Sequence, residues 1–283
     1  MATLRLENIF KNGKPNYLEI EKEVKDALEK YGVPLRERLT VTKAVKNHLN
    51  EVQAERQFFL DLQQSAQTSI WDKSRTSKWF TGKDFSAWKG GITAEFQTVY
   101  KSSKLMILIR HITRLDLNRL YLAPHFDLEH PVNDRRGSIP ASIGNLKYLT
   151  KLDLCFNFLR GDIPSQIGNL KNLEILKLEF NQLHGKIPTT IKNLTKLTYL
   201  ALDHNRLEGN ISMLSNLKDL TLLNIHENKL SLSKATMETL AGYEGLKQCW
   251  FYRNGSFSVA PGSMVEKRIK DSKYSWKAED NNE

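Results

Sequence analysis

The chain has 283 residues, of which 40% are hydrophobic and 26% are charged, and its formal net charge is +10. The length allows one elongated domain or two compact ones, and the composition excludes a disordered protein. No apolar run reaches the length of a membrane-spanning helix. The excess positive charge favours an acidic partner, although a solvated surface that only maintains solubility would have the same composition.

The N-terminus and the cysteines bear on the cellular compartment. The first residues contain acidic side chains and no apolar signal-peptide core, which argues against secretion and organelle import. The two cysteines, Cys155 and Cys249, are too few for a disulfide framework or a cysteine-rich zinc site. We therefore expect a cytoplasmic protein with two free thiols in a reducing compartment.

Residues 1–50 are predicted to form a helical N-terminal arm. The first helix opens at Pro15 and carries apolar residues on one stripe, from Tyr17 to Tyr31, and Gly32 ends it. A second helix places Val41, Val45, Leu49 and Val52 on one face. Two interpretations are open: both stripes pack on the rest of the protein, or they form an amphipathic arm that docks on a partner.

Residues 112–257 contain a repeat. The spacings between one asparagine and the next are 24, 24, 23 and 26 residues, and the anchors are Asn157, Asn181, Asn205, Asn228 and Asn254. Apolar residues recur eight, five and three positions before each anchor. This period is typical of leucine-rich repeats. The pattern predicts about six coils of an α/β solenoid with a parallel β-sheet on its concave face. The anchors should bond backbone groups inside the turns, and Cys249 should be buried at a leucine position.

Two repeats carry a Gly-x-Ile-Pro sequence, which begins at Gly161 and at Gly185. The chain thereby resembles the plant-type leucine-rich-repeat family. That resemblance implies that residues 51–111 form an N-terminal cap containing Trp71, Trp79 and Trp88. Phe85 and Ala94 stand about where secreted members have paired cysteines, so the resemblance implies an intracellular form with a cysteine-free cap.

Two further segments depart from the repeat. An insertion at 123–136 interrupts the first coils, and long insertions in a regular scaffold often carry function. Its histidines and acids lie in a proline-flanked loop without fixed geometry, so we predict no metal there. Residues 258–283 are predicted to be a basic, polar C-terminal tail, with Lys267, Arg268, Lys270 and Lys273 as an electrostatic docking site.

Strand residues that alternate with the buried leucines should face the concave side. Apolar and aromatic residues gather there among charged ones, a composition typical of binding hot spots. We predict that this face binds a partner through Phe156, Ile175, Phe180, Tyr199, Leu222, Trp250 and Tyr252.

Nucleotide-binding, kinase, serine-hydrolase and zinc-protease motifs are missing from the sequence. We therefore predict neither catalytic residues nor a metal or cofactor. The expected function is a non-catalytic, protein-binding scaffold or adaptor within a larger complex. The alternative is an architectural subunit of a large acidic assembly, cytoskeletal (microtubule) or ribonucleoprotein, which would dock through the basic cap, arm and tail. In that case an acidic polymer or nucleic acid is the partner.

Overall fold

A computed structural model describes residues 1–6, 10–11, 14–65, 92–118, 137–157 and 159–278. Over these residues, short parallel strands stack side by side into a solenoid, and a block of helices and long strands covers its N-terminal end. The predicted α/β solenoid with a parallel sheet is confirmed. The tryptophans expected in the cap and the 123–136 insertion lie outside the described residues.

The N-terminal block is held by apolar stripes on two helices. Its elements are β1 (Ala2–Leu6), β2 (Phe10–Lys11), β3 (Lys14–Pro15), α1 (Tyr17–Lys30), α2 (Leu35–Ser65), β4 (Ile92–Lys101) and β5 (Leu105–Asp116). Ile20, Val24 and Leu28 recur every four residues on α1 and are buried. The helix ends where Gly32 takes a left-handed φ of 67° and the Val33 amide donates to the Leu28 carbonyl at 2.9 Å.

The stripe on α2 is buried as well, and its predicted members are each 1–4% exposed. Both stripes belong to the same hydrophobic core as the solenoid leucines. The docking-arm alternative is therefore wrong for these stripes, because their apolar side chains are already covered. The predicted boundary at residue 50 falls inside α2, and β1 is a strand that the predicted helical arm did not include.

The long strand β5 joins the two parts of the molecule. Its first half pairs in parallel with β1, its last three residues pair in parallel with β6 (Lys151–Asp153), and β4 pairs antiparallel along its other edge. Ile112, Leu115 and Leu117, which the repeat pattern assigns to an upstream coil, are all buried. The sheet of the N-terminal block therefore continues directly into the sheet of the solenoid.

The solenoid coils follow one plan. The concave sheet continues through β7 (Ile175–Lys177), β9 (Tyr199–Ala201), β11 (Leu222–Asn224) and β13 (Gln248–Trp250), and a second parallel sheet contains β8 (His184–Lys186), β10 (Arg206–Asn210) and β12 (Lys229–Ser231). Short 3-10 helices complete four coils, at Ala141–Asn145, Ser165–Asn169, Thr189–Asn193 and Ser212–Asn216. These coils pack closely: a Cβ on Gly168 would lie 2.5 Å from the Thr190 Cβ.

The anchor asparagines hold the turns, as the sequence predicts. The Asn181 amide donates to the carbonyls of Leu154 at 2.9 Å and Leu178 at 3.0 Å, and its oxygen accepts from the Leu159 amide at 2.8 Å. Asn205 makes the same bonds one coil later, to Leu178 and to the Leu183 amide. Each anchor thus satisfies backbone groups of two adjacent coils that would otherwise be buried without partners.

The C-terminal segment corrects the predicted tail. It contains α3 (Lys234–Ala241), α4 (Met264–Lys270) and β14 (Ser275–Lys277), and β14 extends the concave sheet by pairing with β13. Val265 and Trp276 are buried, so residues 264–277 are packed on the last coil rather than extended from it. None of the described helices combines the length and the apolar character needed to cross a membrane.

Candidate functional site

The turn residue before each anchor asparagine forms a column along the concave side. Phe156, Phe180 and His204 occupy it on successive coils with left-handed φ of 57°, 55° and 52°. This conformation costs a non-glycine residue roughly 1–2 kcal/mol. Backbone hydrogen bonds between coils offset this conformational cost. The Phe156 and Phe180 amides each donate at 3.1 Å to a carbonyl on the next coil. The column is therefore fixed by the coils themselves.

The three rings of this column stack face to face. The centroids of Phe156 and Phe180 lie 4.2 Å apart at an interplanar angle of 9°, and those of Phe180 and His204 lie 4.1 Å apart at 16°. Phe180 is 39% exposed, whereas the neighbouring leucine Leu178 is fully buried. We call Phe156, Phe180 and His204 the aromatic column. It offers a partner an apolar strip that is already ordered.

A second apolar row runs along the other side of the concave strands. Ile175, Tyr199 and Leu222 lie side by side at the same register position of β7, β9 and β11. All three are half-buried. The Lys177 ammonium lies 5.0 Å from the centre of the Tyr199 ring, within cation–π range. This apolar row and the aromatic column border the concave face on its two long sides.

Trp250 and Tyr252 close the C-terminal end of the face around a buried histidine. The His226 ring stacks on Tyr252 with centroids 4.4 Å apart and meets Trp250 edge-on at 5.7 Å. His226 is 4% exposed, and both aromatic residues are half-buried. The Lys277 ammonium lies 5.0 Å from the centre of the Trp250 ring. Because Lys277 belongs to β14, the folded C-terminal segment contributes to this end of the face.

Carboxylates occupy the middle of the face, between the two apolar rows. Asp153, Glu179 and Asp203 come from successive coils, and the Lys177 ammonium lies 4.0 Å from Asp153 Oδ2. Glu179 Oε2 is buried and has no hydrogen-bond partner among the described residues. A buried carboxylate oxygen of this kind is costly unless it is protonated or bonded by a ligand. We call Asp153, Glu179 and Asp203 the acidic strip.

The acidic strip has perturbed protonation. Burial, reinforced by the charge of Glu179, raises the pKa of Asp203 to about 7. Burial raises the pKa of Glu179 too, with Asp153 as the charged neighbour that adds to the effect. A cationic group that entered the face would stabilise both carboxylates in the ionised form.

The structure sorts the predicted site residues into three groups. Phe156 and Phe180 form the column, Ile175, Tyr199 and Leu222 form one row, and Trp250 and Tyr252 share contacts with His226. Sequence reasoning did not select His204, the third ring of the column. The sequence could have identified His204, because it stands one repeat after Phe180 at the same position before the anchor asparagine.

The predicted electrostatic docking site needs a correction. Arg268 is only 6% exposed, its Nε donates to the Ala241 carbonyl at 2.8 Å, and its guanidinium lies 3.8 Å from the centre of the Tyr274 ring. It is a packing residue and cannot reach a partner. Lys267 and Lys273 are exposed, and the exposed Lys270 ammonium bonds the Glu266 carboxylate at 2.5 Å.

The cysteines and histidines limit the chemistry available here. Cys155 and Cys249 are free and buried, and burial raises the pKa of both thiols, so neither is poised as a thiolate nucleophile. Among the residues that the structure describes, two groups of side chains have donor atoms that could hold a metal ion. They are Asp203, His204 and His226 on the concave face, and His48, Glu51 and His111 in the N-terminal block. In the concave group, Asp203 Oδ2 and His226 Nε2 are 3.9 Å apart.

Comparisons with known proteins identify the same repeat that the sequence and the structure show. The sequence model of the leucine-rich repeat region matches residues 127–268, about half of the chain, and the chain belongs to this family. The leucine-rich-repeat fold is typically a non-catalytic binding domain. A comparison with curated protein sequences finds no match.

Several solved structures are similar to the chain. A plant ice-binding protein is 25% identical over 71% of this chain and 56% of its own, with a TM-score of 0.50. A chain of the BIR3–SERK2 complex from Arabidopsis thaliana is 30% identical over 72% of this chain and 97% of its own, with a TM-score of 0.49. The plant peptide hormone receptor RGFR1, in complex with RGF2, is 36% identical over 41% of this chain, with a TM-score of 0.38. This chain spans only 19% of that receptor's length.

Proposed function

We propose that the protein is a non-catalytic scaffold or adaptor that binds a protein partner along its concave face. The observation that carries the proposal is the stack of Phe156, Phe180 and His204, which presents ordered aromatic surface beside buried carboxylates. Leucine-rich-repeat proteins generally mediate protein–protein interaction, and the chain belongs to that family. Aromatic groups fixed in a rigid scaffold lose little conformational entropy on binding, which favours hot-spot contacts.

The chemistry of the face indicates what the partner should present. The aromatic column and the apolar row would contact aliphatic or aromatic side chains of the partner. The acidic strip between them would bond a lysine or arginine. The unpartnered Glu179 Oε2 favours a cation in particular, because a charge-assisted hydrogen bond would satisfy it. We therefore propose an extended peptide segment in which apolar residues flank a basic one.

The architectural alternative would dock the protein on an acidic assembly through its basic segments. The structure supports it less well than the concave face, since Arg268 is buried and Lys270 is bonded to Glu266. Nucleic acid or another acidic polymer is likewise disfavoured at the concave face, because the acidic strip would repel phosphates. Protein partners within a larger complex remain our proposal.

Two finer statements are also proposals. We infer that the protein is the plant-type, Gly-x-Ile-Pro form of the family, supported by left-handed φ at Gly161 and Gly185 and by the second parallel sheet. We infer a cytoplasmic location in a reducing compartment, supported by the two free, buried thiols.

The peptide proposal can be tested by selecting binders from a library of short random peptides on the immobilised protein. Selected sequences should combine apolar residues with lysine or arginine, and Phe180→Ala should weaken their binding at least tenfold, about 1.4 kcal/mol. Glu179→Gln should weaken only the peptides that contain a basic residue. Leu39→Ala is the matched control, because it removes an 81% exposed leucine on α2, in the N-terminal block and not on the concave face.

Two outcomes would contradict the proposal. Peptides that bind the wild type and Phe180→Ala equally would place the binding surface elsewhere. Selection of acidic peptides whose affinity falls steeply with salt would favour the basic segments and the architectural alternative.

A further inference from the structure

Four polar side chains converge where the N-terminal block meets the coil that contains β6, which we call the first coil. His48 and Glu51 lie three residues apart on α2 and so share one helical face. His111 comes from β5, and Tyr148 precedes the strand β6 of the first coil. The Asn145 side chain fixes the approach of this coil, donating to the Ala54 carbonyl of α2 at 3.2 Å. Three separate parts of the chain thus supply the cluster.

The donor atoms are spaced as ligands around one small cation. His48 Nδ1 lies 3.0 Å from His111 Nε2, 3.3 Å from the Tyr148 hydroxyl and 3.6 Å from Glu51 Oε2. The Tyr148 hydroxyl lies 3.0 Å from the same Glu51 oxygen. Four ligands at about 2.0–2.1 Å from a tetrahedral zinc are about 3.3–3.4 Å apart, close to these separations.

His48 Nδ1 has more polar neighbours than the one hydrogen bond it shares with His111 Nε2 can use. His48 Nδ1 has three polar neighbours, yet an imidazole nitrogen carries either one proton or one lone pair and makes one good hydrogen bond. A cation at the centre would be coordinated by all of these atoms at once.

His111 is held in the form that binds a metal. Its Nδ1 lies 2.7 Å from Glu55 Oε1, and Glu55 Oε2 accepts the Ile112 amide at 3.1 Å. Both side chains are fully buried. When Glu55 is ionised it can only accept, so Nδ1 then carries the proton and Nε2 turns its lone pair toward His48. A carboxylate that orients a histidine in this way is the usual second shell of a zinc ligand.

The charges also match a divalent ion. Glu51 brings a carboxylate to the ion itself, and Glu55 brings a second one behind His111. The Lys147 ammonium bonds the other oxygen of Glu51 at 3.3 Å and leaves Oε2 facing the cluster. Imidazole and carboxylate donors suit zinc and neighbouring first-row transition metals.

We propose that His48, Glu51 and His111 bind a divalent transition-metal ion, zinc above others, with the Tyr148 hydroxyl at the fourth position. The role is structural: the ion ties α2 and β5 to the first coil, at the end of the solenoid that needs a cap. The site could not be recognised from sequence, because its ligands are separated by up to 100 positions.

Metal content of the full chain tests the proposal. The purified protein, stripped with chelator and dialysed against zinc, should retain one zinc per chain by elemental analysis, and zinc should raise its melting temperature. Cobalt should give the intense visible absorption of a tetrahedral site. His48→Ala with Glu51→Gln should lose the zinc and the cobalt spectrum. These two side chains are 22% and 27% exposed, so the variant should fold, and circular dichroism would verify this.

Two histidine variants serve as controls. His184→Ala, which removes a 57% exposed histidine paired with Asp162, should leave binding unchanged. His226→Ala probes the concave group of donors and should also leave it unchanged. The proposal would be overturned by a wild type that retains no zinc, by zinc retained in the His48 and Glu51 double variant, or by zinc lost in His226→Ala.

Discussion

The solenoid and the N-terminal block are stabilised by different kinds of contact. In the solenoid the bonds that hold the turns recur from coil to coil, as when Asn181 and Asn205 donate to corresponding carbonyls. In the N-terminal block each contact occurs once and joins distant positions, as when His111 meets Glu55 across 56 residues of sequence. Periodic contacts can be inferred from the sequence by comparison between repeats, whereas unique contacts cannot.

The same difference extends to function. On the concave face, repetition sets rings from different coils into one column at the stacking distance. In the N-terminal block, the convergence of His48, Glu51, His111 and Tyr148 depends on how a helix packs on a strand and on the first coil. The two regions nevertheless share one hydrophobic core. We therefore expect them to unfold together.

The largest expected effects come from one leucine in each region. Leu178 in the solenoid is fully buried and Leu49 in α2 is 1% exposed, so the two changes remove matched volumes. Leu178→Ala and Leu49→Ala should each lower the free energy of unfolding by about 2–5 kcal/mol. Denaturant unfolding followed by circular dichroism should show a single transition for both variants. A Leu49→Ala protein with two separate transitions would show that the block is an independent unit.

Sequence reasoning predicted the periodic part well. The leucine positions, the anchor asparagines, the parallel sheet and the burial of Cys249 followed from the spacing alone. The strand β1 and the folded segment from Met264 to Lys277 were missed, because each pairs once with a distant strand and repeats nothing. Arg268 was misread for the same reason, since its contacts with Ala241 and Tyr274 leave no trace in composition.

A smaller effect is expected from the acidic strip, and it should depend on pH. The pKa of Asp203 is about 7 in the folded protein, above the value of 3.8 for an unperturbed aspartate, so the folded state binds the proton more tightly. The contribution of Asp203 to the free energy of unfolding should therefore be most favourable below pH 4. It should become less favourable as the pH rises toward 7.

Asp203→Asn should remove this pH dependence. At pH 8 the variant should be more stable than the wild type, with a melting temperature higher by several degrees, because it avoids a buried, ionised carboxylate near that of Glu179. At pH 4 the two proteins should differ little. Thermal melts at both pH values check this, and a variant that is destabilised equally at both would show that Asp203 is needed as a hydrogen-bond acceptor.

The smallest effect on stability should come from the aromatic column. Phe156→Ala and Phe180→Ala keep the left-handed backbone and its ladder, and they remove rings that are half-buried or exposed. Each should cost about 1 kcal/mol or less, the value of a stacked pair. This small cost, against the large one for Leu178→Ala, distinguishes a binding face from a core.

The most direct test of the account therefore measures folding and binding on the same double variant. Phe156→Ala with Phe180→Ala should unfold cooperatively within about 2 kcal/mol of the wild type, while its affinity for a selected peptide falls at least tenfold. A double variant that unfolds as readily as Leu178→Ala would place the rings in the core. One that keeps both its stability and its affinity would show that the concave face is not where the partner binds.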